Sequence, residues 1–176
     1  APAYPKNSEP VYRAYSLASD KLDTRHVDMI IRRVPEGICT TWVFDYLKEH
    51  DETLFNGPYG DFFIRESPRD MVFVAGGSGM APFLSILADM RTQGVERRCT
   101  YFFGAVRQRD LFCLETMEEF ERDLPNFSFV PCLSQPAEDD DWSGETGLVT
   151  EVLDRTFPDL SAHDGYLCGS PGMIDA

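Results

Sequence analysis

The sequence predicts an α/β fold, a parallel doubly wound sheet preceded by part of an antiparallel β-barrel. Two observations carry this. From Met71 onward, continuous apolar runs alternate with helical segments, the pattern of strands buried on both faces. Ahead of Arg65–Asp70, shorter β-type segments are separated by turns, with little helix between them. The break falls at Glu66-Ser67-Pro68-Arg69, so residues 1–66 and 67–176 are expected to form two units.

In the front unit, Tyr12–Ala18, Val27–Arg33 and Glu52–Phe55 are β-type by composition. Thr41–Lys48 is helical, and Gly57-Pro58-Tyr59-Gly60 is a turn. In the rear unit, Met71–Ala75 is a buried strand that runs into Gly76-Gly77 and a helix through about Thr92. Strands are expected at Thr100–Phe103, Phe127–Leu133 and Tyr166–Cys168, and helices at Leu114–Leu124 and Leu148–Phe157. Ligands of such sheets bind beyond the C-terminal ends of the strands.

Composition narrows the function. The 176 residues are 43% hydrophobic and 26% charged, ordinary for a globular protein. A formal charge of -14 without a Lys/Arg cluster argues against nucleic acid as a partner. No apolar stretch approaches the ~20 residues of a membrane helix. Ala1–Pro10 is polar and proline-rich, unlike a signal peptide, so a cytoplasmic location is expected. The five cysteines, Cys39, Cys99, Cys113, Cys132 and Cys168, include no C-x-x-C pair and no C-x4-C-x2-C run. Most are expected to be buried small hydrophobes, with no metal held by this chain. His26, His50 and His163 lie outside every motif and are expected at the surface.

Four constellations carry possible chemistry. Gly76-Gly77-Ser78-Gly79-Met80-Ala81-Pro82 joins a strand to a helix, where glycines admit a phosphate to the backbone and the helix N-terminus offers N–H groups. Pro82 suits a first helical turn. Arg13-Ala14-Tyr15-Ser16 would put Arg13 and Tyr15 on one face of a strand and Ser16 on the other. Gly37-Ile38-Cys39-Thr40-Thr41 enters a helix and makes either a second cradle or a plain cap. Cys168-Gly169-Ser170-Pro171-Gly172-Met173 follows the last strand, where ligands of these sheets lie.

Taken in order, Arg-x-Tyr-Ser, Gly-x-x-Thr, Gly-Pro-Tyr-Gly, Gly-Gly-Ser-Gly-Met-Ala-Pro and Cys-Gly-x-Pro resemble the ferredoxin–NADP reductase superfamily across almost the whole chain. The resemblance implies a partial FAD-binding barrel over 1–66 and an NAD(P)H-binding α/β domain over 67–176. By the same resemblance, Arg13 contacts the FAD pyrophosphate, Tyr15 packs on the isoalloxazine and Ser16 lies near its N5. Gly37, Ile38, Cys39 and Thr40 line the pyrophosphate, and Ile31 with Arg32 border the ribityl and phosphate region. Gly76 to Pro82 receive the NAD pyrophosphate, while Gly104 and Arg107 meet the adenosine ribose. Cys168 lies beside the nicotinamide, with Gly169, Pro171 and Met173 completing that end. Ser16 and Cys168 are the implied catalytic residues.

Two branches are most similar. Tyr12–Ala18, Gly79–Pro82 and Asp141–Gly147 resemble the F subunit of sodium-translocating NADH:quinone reductases, the preferred reading. Leu167–Ala176 and Pro125–Ser128 resemble reductase components of oxygenases acting on phenol or methane. Both imply NADH in preference to NADPH, and onward transfer to a ferredoxin-like [2Fe–2S] centre on another domain or chain. The partners implied are membrane quinone-reductase subunits or an oxygenase. The resemblance also expects barrel strands before Arg13 and a last strand and helix after Ala176, so a fragment that holds FAD weakly or not at all is expected. A nucleotide-binding module without catalysis is the alternative; Ser16 and Cys168 together favour the enzyme.

Overall fold

A computed structural model describes residues 1–176. Its rear unit is a five-stranded, wholly parallel sheet in the order β4-β3-β2-β1-β5. The strands are β1 (Asp70–Gly76), β2 (Cys99–Ala105), β3 (Phe127–Leu133), β4 (Glu145–Thr146) and β5 (His163–Cys168). Helices α2 (Ala81–Gln93), α3 (Leu114–Asp123), α4 (Val149–Thr156) and α5 (Pro171–Ile174) connect or follow them. Only α1 (Ile38–Asp45) lies in the front unit.

Side-chain alternation along β1 explains the two layers. Met71, Phe73 and Ala75 face α2 and α3, in a cluster with Phe83, Leu87, Met90, Tyr101, Met117 and Phe120. Val72 and Val74 face α4 with Phe102, Cys132, Val149 and Val152. Both faces are covered, which is why these strands read as continuous apolar runs. Helix α2 starts with Pro82 in its first turn and ends at Gly94, whose φ of 64° is the left-handed conformation a glycine adopts freely.

The chain leaves β1 for β2, β3 and β4 on one side, then returns to place β5 on the other. The order therefore reverses at β1, and a crevice opens beyond the C-terminal ends of β1 and β5. Gly76 and Cys168 mark it.

Three expectations are corrected. The front strands form no ladder: Leu17 and Met29 make one antiparallel bridge, Ala18 N–H donates to Asp28 O at 2.8 Å, and Glu52–Phe55 pairs with nothing. An extended segment becomes a strand only when neighbours satisfy its backbone groups. The helix expected at Thr41–Lys48 starts three residues earlier, because Gly37 supplies its N-cap. His163 is half-buried where a surface position was expected; it opens β5 with its ring 4.9 Å from that of Phe157 and its Nδ1 buried.

Two buried thiols give the fold a pH dependence. Burial pushes Cys132 up from 9.0 to about 12, and Cys99 is raised further in the same direction. Each holds its proton more tightly folded than unfolded, so their stabilisation is intact below pH 9 and is lost as pH rises toward the folded value. Denaturant unfolding should therefore lose stability above pH 9, and Cys132→Ala should flatten that decline. An equal decline in the variant would assign it to other groups.

Candidate active site

One cleft of about 820 Å³ spans the crevice between the two units. Ala14, Tyr15, Ser16, Ile30 and Arg32 form its front wall. Gly76–Gly79 and Cys168–Pro171 with Met173 form the rear wall, and Gly104, Ala105, Val106 and Asp110 extend it past the end of β2. A second hollow of about 380 Å³ adjoins it, lined by Arg13, Tyr15, Arg32, Gly37, Ile38, Cys39 and Thr40. Tyr15, Ile30, Arg32 and Ser78 line both, so the two hollows are continuous around them.

The rear cradle is shaped by glycines. Gly77 has φ 54° and open space where a Cβ would project, so its requirement is conformational. Gly79 is buried, and a Cβ there would run into the Cys168 carbonyl and the Gly169 Cα. A Cβ on Gly76 would lie 3.2 Å from the Met173 sulfur, and one on Gly169 would meet the same thioether. These close approaches hold the Gly76–Gly79 turn against the end of β5. The turn is a 3-10 helix over Gly77–Met80 that runs straight into α2. Ala81 N–H donates to Ser78 O and Pro82 has no N–H, so the N–H groups without intrahelical partners are those of the turn itself, at the positive end of the joined helix dipole.

Charge is sparse at the cleft. Arg32 is its only cationic wall residue, and Arg13 joins it around the second hollow. In a chain of net charge -14, two arginines beside a helix N-terminus are a local exception suited to a diphosphate. The Cys168 thiol is raised by burial, so it is a neutral thiol at physiological pH and not a thiolate nucleophile. Burial likewise raises Tyr15, which faces the cleft as a neutral phenol.

Most residues of the sequence motifs meet here: Tyr15, Ser16, Arg32, Gly76, Gly77, Ser78, Gly79, Gly104, Cys168, Gly169, Pro171 and Met173 line the main cleft. Others stand elsewhere. Ile31 is off the wall that Ile30 and Arg32 form, as alternation along an extended chain requires. Met80 and Ala81 turn into the core, at 0% and 1% exposure, as the first residues of a buried helix face. Pro82 and Arg107 also stand off the lining. Thr40 borders the second hollow, yet its hydroxyl donates to Val34 O at 3.1 Å and closes the Val34–Gly37 loop. Asp110, which no motif singled out, faces the cleft near Gly104. Its signal in sequence is weak, since a lone acid after a strand is ordinarily solvated.

Two family descriptions cover this architecture: "Oxidoreductase FAD-binding domain" matches residues 3–64 and "Oxidoreductase NAD-binding domain" matches 73–176. The chain belongs to the FAD- and NAD-binding oxidoreductases of the ferredoxin–NADP reductase superfamily. Among relatives of this oxidoreductase family, the phenol 2-monooxygenase reductase component DmpP of Pseudomonas sp. is 39% identical over 166 residues, 93% of this chain and 47% of that protein. The F subunit of the Na(+)-translocating NADH-quinone reductase of Psychrobacter arcticus is 34% identical over 183 residues, 96% of this chain and 44% of that protein. The crystal structure of Amycolatopsis cytochrome P450 reductase GcoB superposes with a TM-score of 0.83 at 30% identity, over 92% of this chain and 49% of that one. The chain spans about half the length of the curated relatives it matches. No helix is long and apolar enough to cross a membrane.

Proposed function

We propose that residues 1–66 hold FAD, that residues 67–176 hold NADH, and that the protein passes electrons onward to a ferredoxin-like [2Fe–2S] domain. One observation carries this reading: Ser16 from the front unit and Cys168 from the rear line the same cleft. When bound, the nicotinamide supplies a hydride and the flavin accepts it, releasing the electrons one at a time.

The protein's part is orientation. Arg13 and Arg32 neutralise the flavin diphosphate, Tyr15 packs on its ring, and Gly37–Cys39 let the phosphates approach α1. Ser16, which lines the cleft, would offer its hydroxyl to the bound flavin ring, a hydrogen bond worth about 0.5–1.5 kcal/mol. Gly76–Gly79 take the NADH diphosphate at the entry to α2, and the Cys168 thiol packs beside the nicotinamide. Ser16→Ala is expected to slow flavin reduction about tenfold while FAD content holds. Unchanged reduction kinetics would remove Ser16 from the mechanism.

Asp110 sets the choice of nucleotide in this reading. Asp110 lines the cleft together with Gly104, where the adenosine ribose is proposed to lie, and one of its carboxylate oxygens accepts the Arg107 N–H at 3.0 Å. A 2′-phosphate there would meet it at a cost of about 1 kcal/mol per charge pair even in water-like surroundings. Asp110→Ser should raise kcat/KM for NADPH about five- to tenfold and leave NADH nearly unchanged. Equal changes for both nucleotides would place Asp110 away from the ribose.

The final acceptor divides two readings. The motifs at Tyr12–Ala18 and Asp141–Gly147 lean toward membrane subunits of a quinone reductase, with the protein at the cytoplasmic face. Identity over the whole alignment leans toward an oxygenase, at 39% against 34%, and rests on more positions than the motifs do. Both share the cytoplasmic NADH-oxidising step. The test is a visible spectrum of the purified full-length protein before and after anaerobic NADH. Flavin absorbance that bleaches supports the reading; a protein that binds nucleotide with no bleaching favours the non-catalytic module, and one that binds neither cofactor overturns both.

A further inference from the structure

The segment joining the two units is tied down by a single guanidinium on the side of the sheet away from the cleft. Arg97 precedes β2 and its side chain is 17% exposed. Its Nε donates to Arg69 O at 2.7 Å, its Nη1 to Arg65 O at 3.0 Å and its Nη2 to Asp164 Oδ2 at 2.7 Å. All three nitrogens are engaged, two by the joining segment and one by β5. The segment and the chain leading into it are pinned twice more: Arg65 N–H donates to Tyr166 Oη at 3.0 Å, and the Phe62 ring sits edge-on to Phe83 at 5.6 Å. The Asp164 carboxyl is held below the usual carboxylate range, by Ser67 first and by Arg97, and stays ionised to receive the guanidinium.

We infer that Arg97 is a positioning residue for the reaction, holding Arg65–Arg69 against the base of β1 and β5 so that the front wall of the cleft stays in register with the rear wall. The inference rests on the two-cofactor reading of the cleft. β1 is seven residues long and runs from this clasp to Gly76 at the cleft, roughly 20 Å away. Arg97 therefore touches no cofactor and acts only through the angle between the units. The salt bridge that joins the units directly is the pair between Lys21 and Asp89 on α2, at 2.5 Å, whose lysine side chain is 54% exposed. A pair whose lysine stands half in solvent fixes little. A fork of fixed donors matched to two carbonyls and a carboxylate fixes much more, and lysine cannot reproduce it.

The experiment uses the full-length, FAD-loaded protein and the variants Arg97→Met and Arg97→Lys. Because a displacement of about 1 Å costs on the order of a hundredfold in rate, the limiting rate of flavin reduction by NADH should fall about tenfold or more in both. NADH affinity and FAD content should hold. Trypsin should cut faster after Arg65 and Arg69, with cleavage after Arg91 and Arg122 unchanged. A limiting rate equal to wild type, or NADH affinity that weakens in proportion to rate, would overturn the inference. If Arg97→Met fails to retain flavin, Asp164→Asn gives the milder release, removing the charge partner while leaving the two carbonyl bonds, and is read in the same ways. Wild-type protein that NADH does not reduce removes the cofactor reading instead, and the clasp is then decided by proteolysis: unchanged cleavage after Arg65 and Arg69 overturns it.

Discussion

Gly79→Ala is expected to cost the protein both stability and nucleotide binding. The added Cβ would collide with the carbonyl of Cys168 and the Cα of Gly169, which are backbone and cannot rotate away. Either the end of β5 must separate from β1, where Ala75 pairs with Cys168, or the Gly76–Gly79 turn must lift out of its seat. Overpacking of this kind costs about 1–3 kcal/mol, and a collision with backbone belongs at or above the upper end. The cradle moves in both outcomes, so NADH affinity should fall more than about tenfold. Gly77→Ala is the control, because open space surrounds its Cβ position and only the positive φ is strained, at about 1–2 kcal/mol. Urea unfolding and NADH titration of the two variants should therefore differ clearly. A Gly79→Ala protein as stable and as tight as wild type would show that β5 does not press on the turn.

Phe73→Ala should produce the largest loss of stability from a single truncation, about 3–5 kcal/mol. Phe73 is fully buried at the centre of β1, with ring centroids of Phe83, Tyr166 and Tyr101 at 4.8, 5.3 and 6.1 Å. Removing it leaves a cavity among three aromatic rings that cannot collapse without breaking strand register. Tyr166 also accepts the Arg65 N–H, so its loosening reaches the segment between the units. Phe55→Ala, at a side chain 58% exposed, should stay within about 0.5 kcal/mol. Denaturant midpoints that fail to separate these two variants would contradict the placement of the core.

The rear unit was readable because its signals are local. Apolar runs bounded by glycine and proline located β1, β2, β3 and β5 to within a few residues, and Pro82 and Gly94 frame α2. The two-residue β4 was not readable, since Glu145 and Thr146 are exposed and join the sheet only through pairing with Cys132 and Leu133. The front unit was legible as extended chain but not as a sheet, because pairing depends on partners distant in sequence. At the cleft, the glycine turns and Ser16 followed from motif order. Ile30 in place of Ile31, and the inward Met80, depend on which way a side chain points, which a motif does not encode. Arg97 and Asp110 lie outside every motif, and only the folded chain brings them to Asp164 and to the cleft.

The central claim is that two cofactors meet between Ser16 and Cys168, and a crystal structure with FAD and NAD+ both bound tests it most directly. The account predicts the flavin ring against Tyr15 and Ser16, the nicotinamide against Cys168, and the two rings in contact inside the one cleft. A nicotinamide nucleotide bound away from Gly76–Gly79, or a flavin ring outside the Tyr15–Ser16 wall, would contradict it.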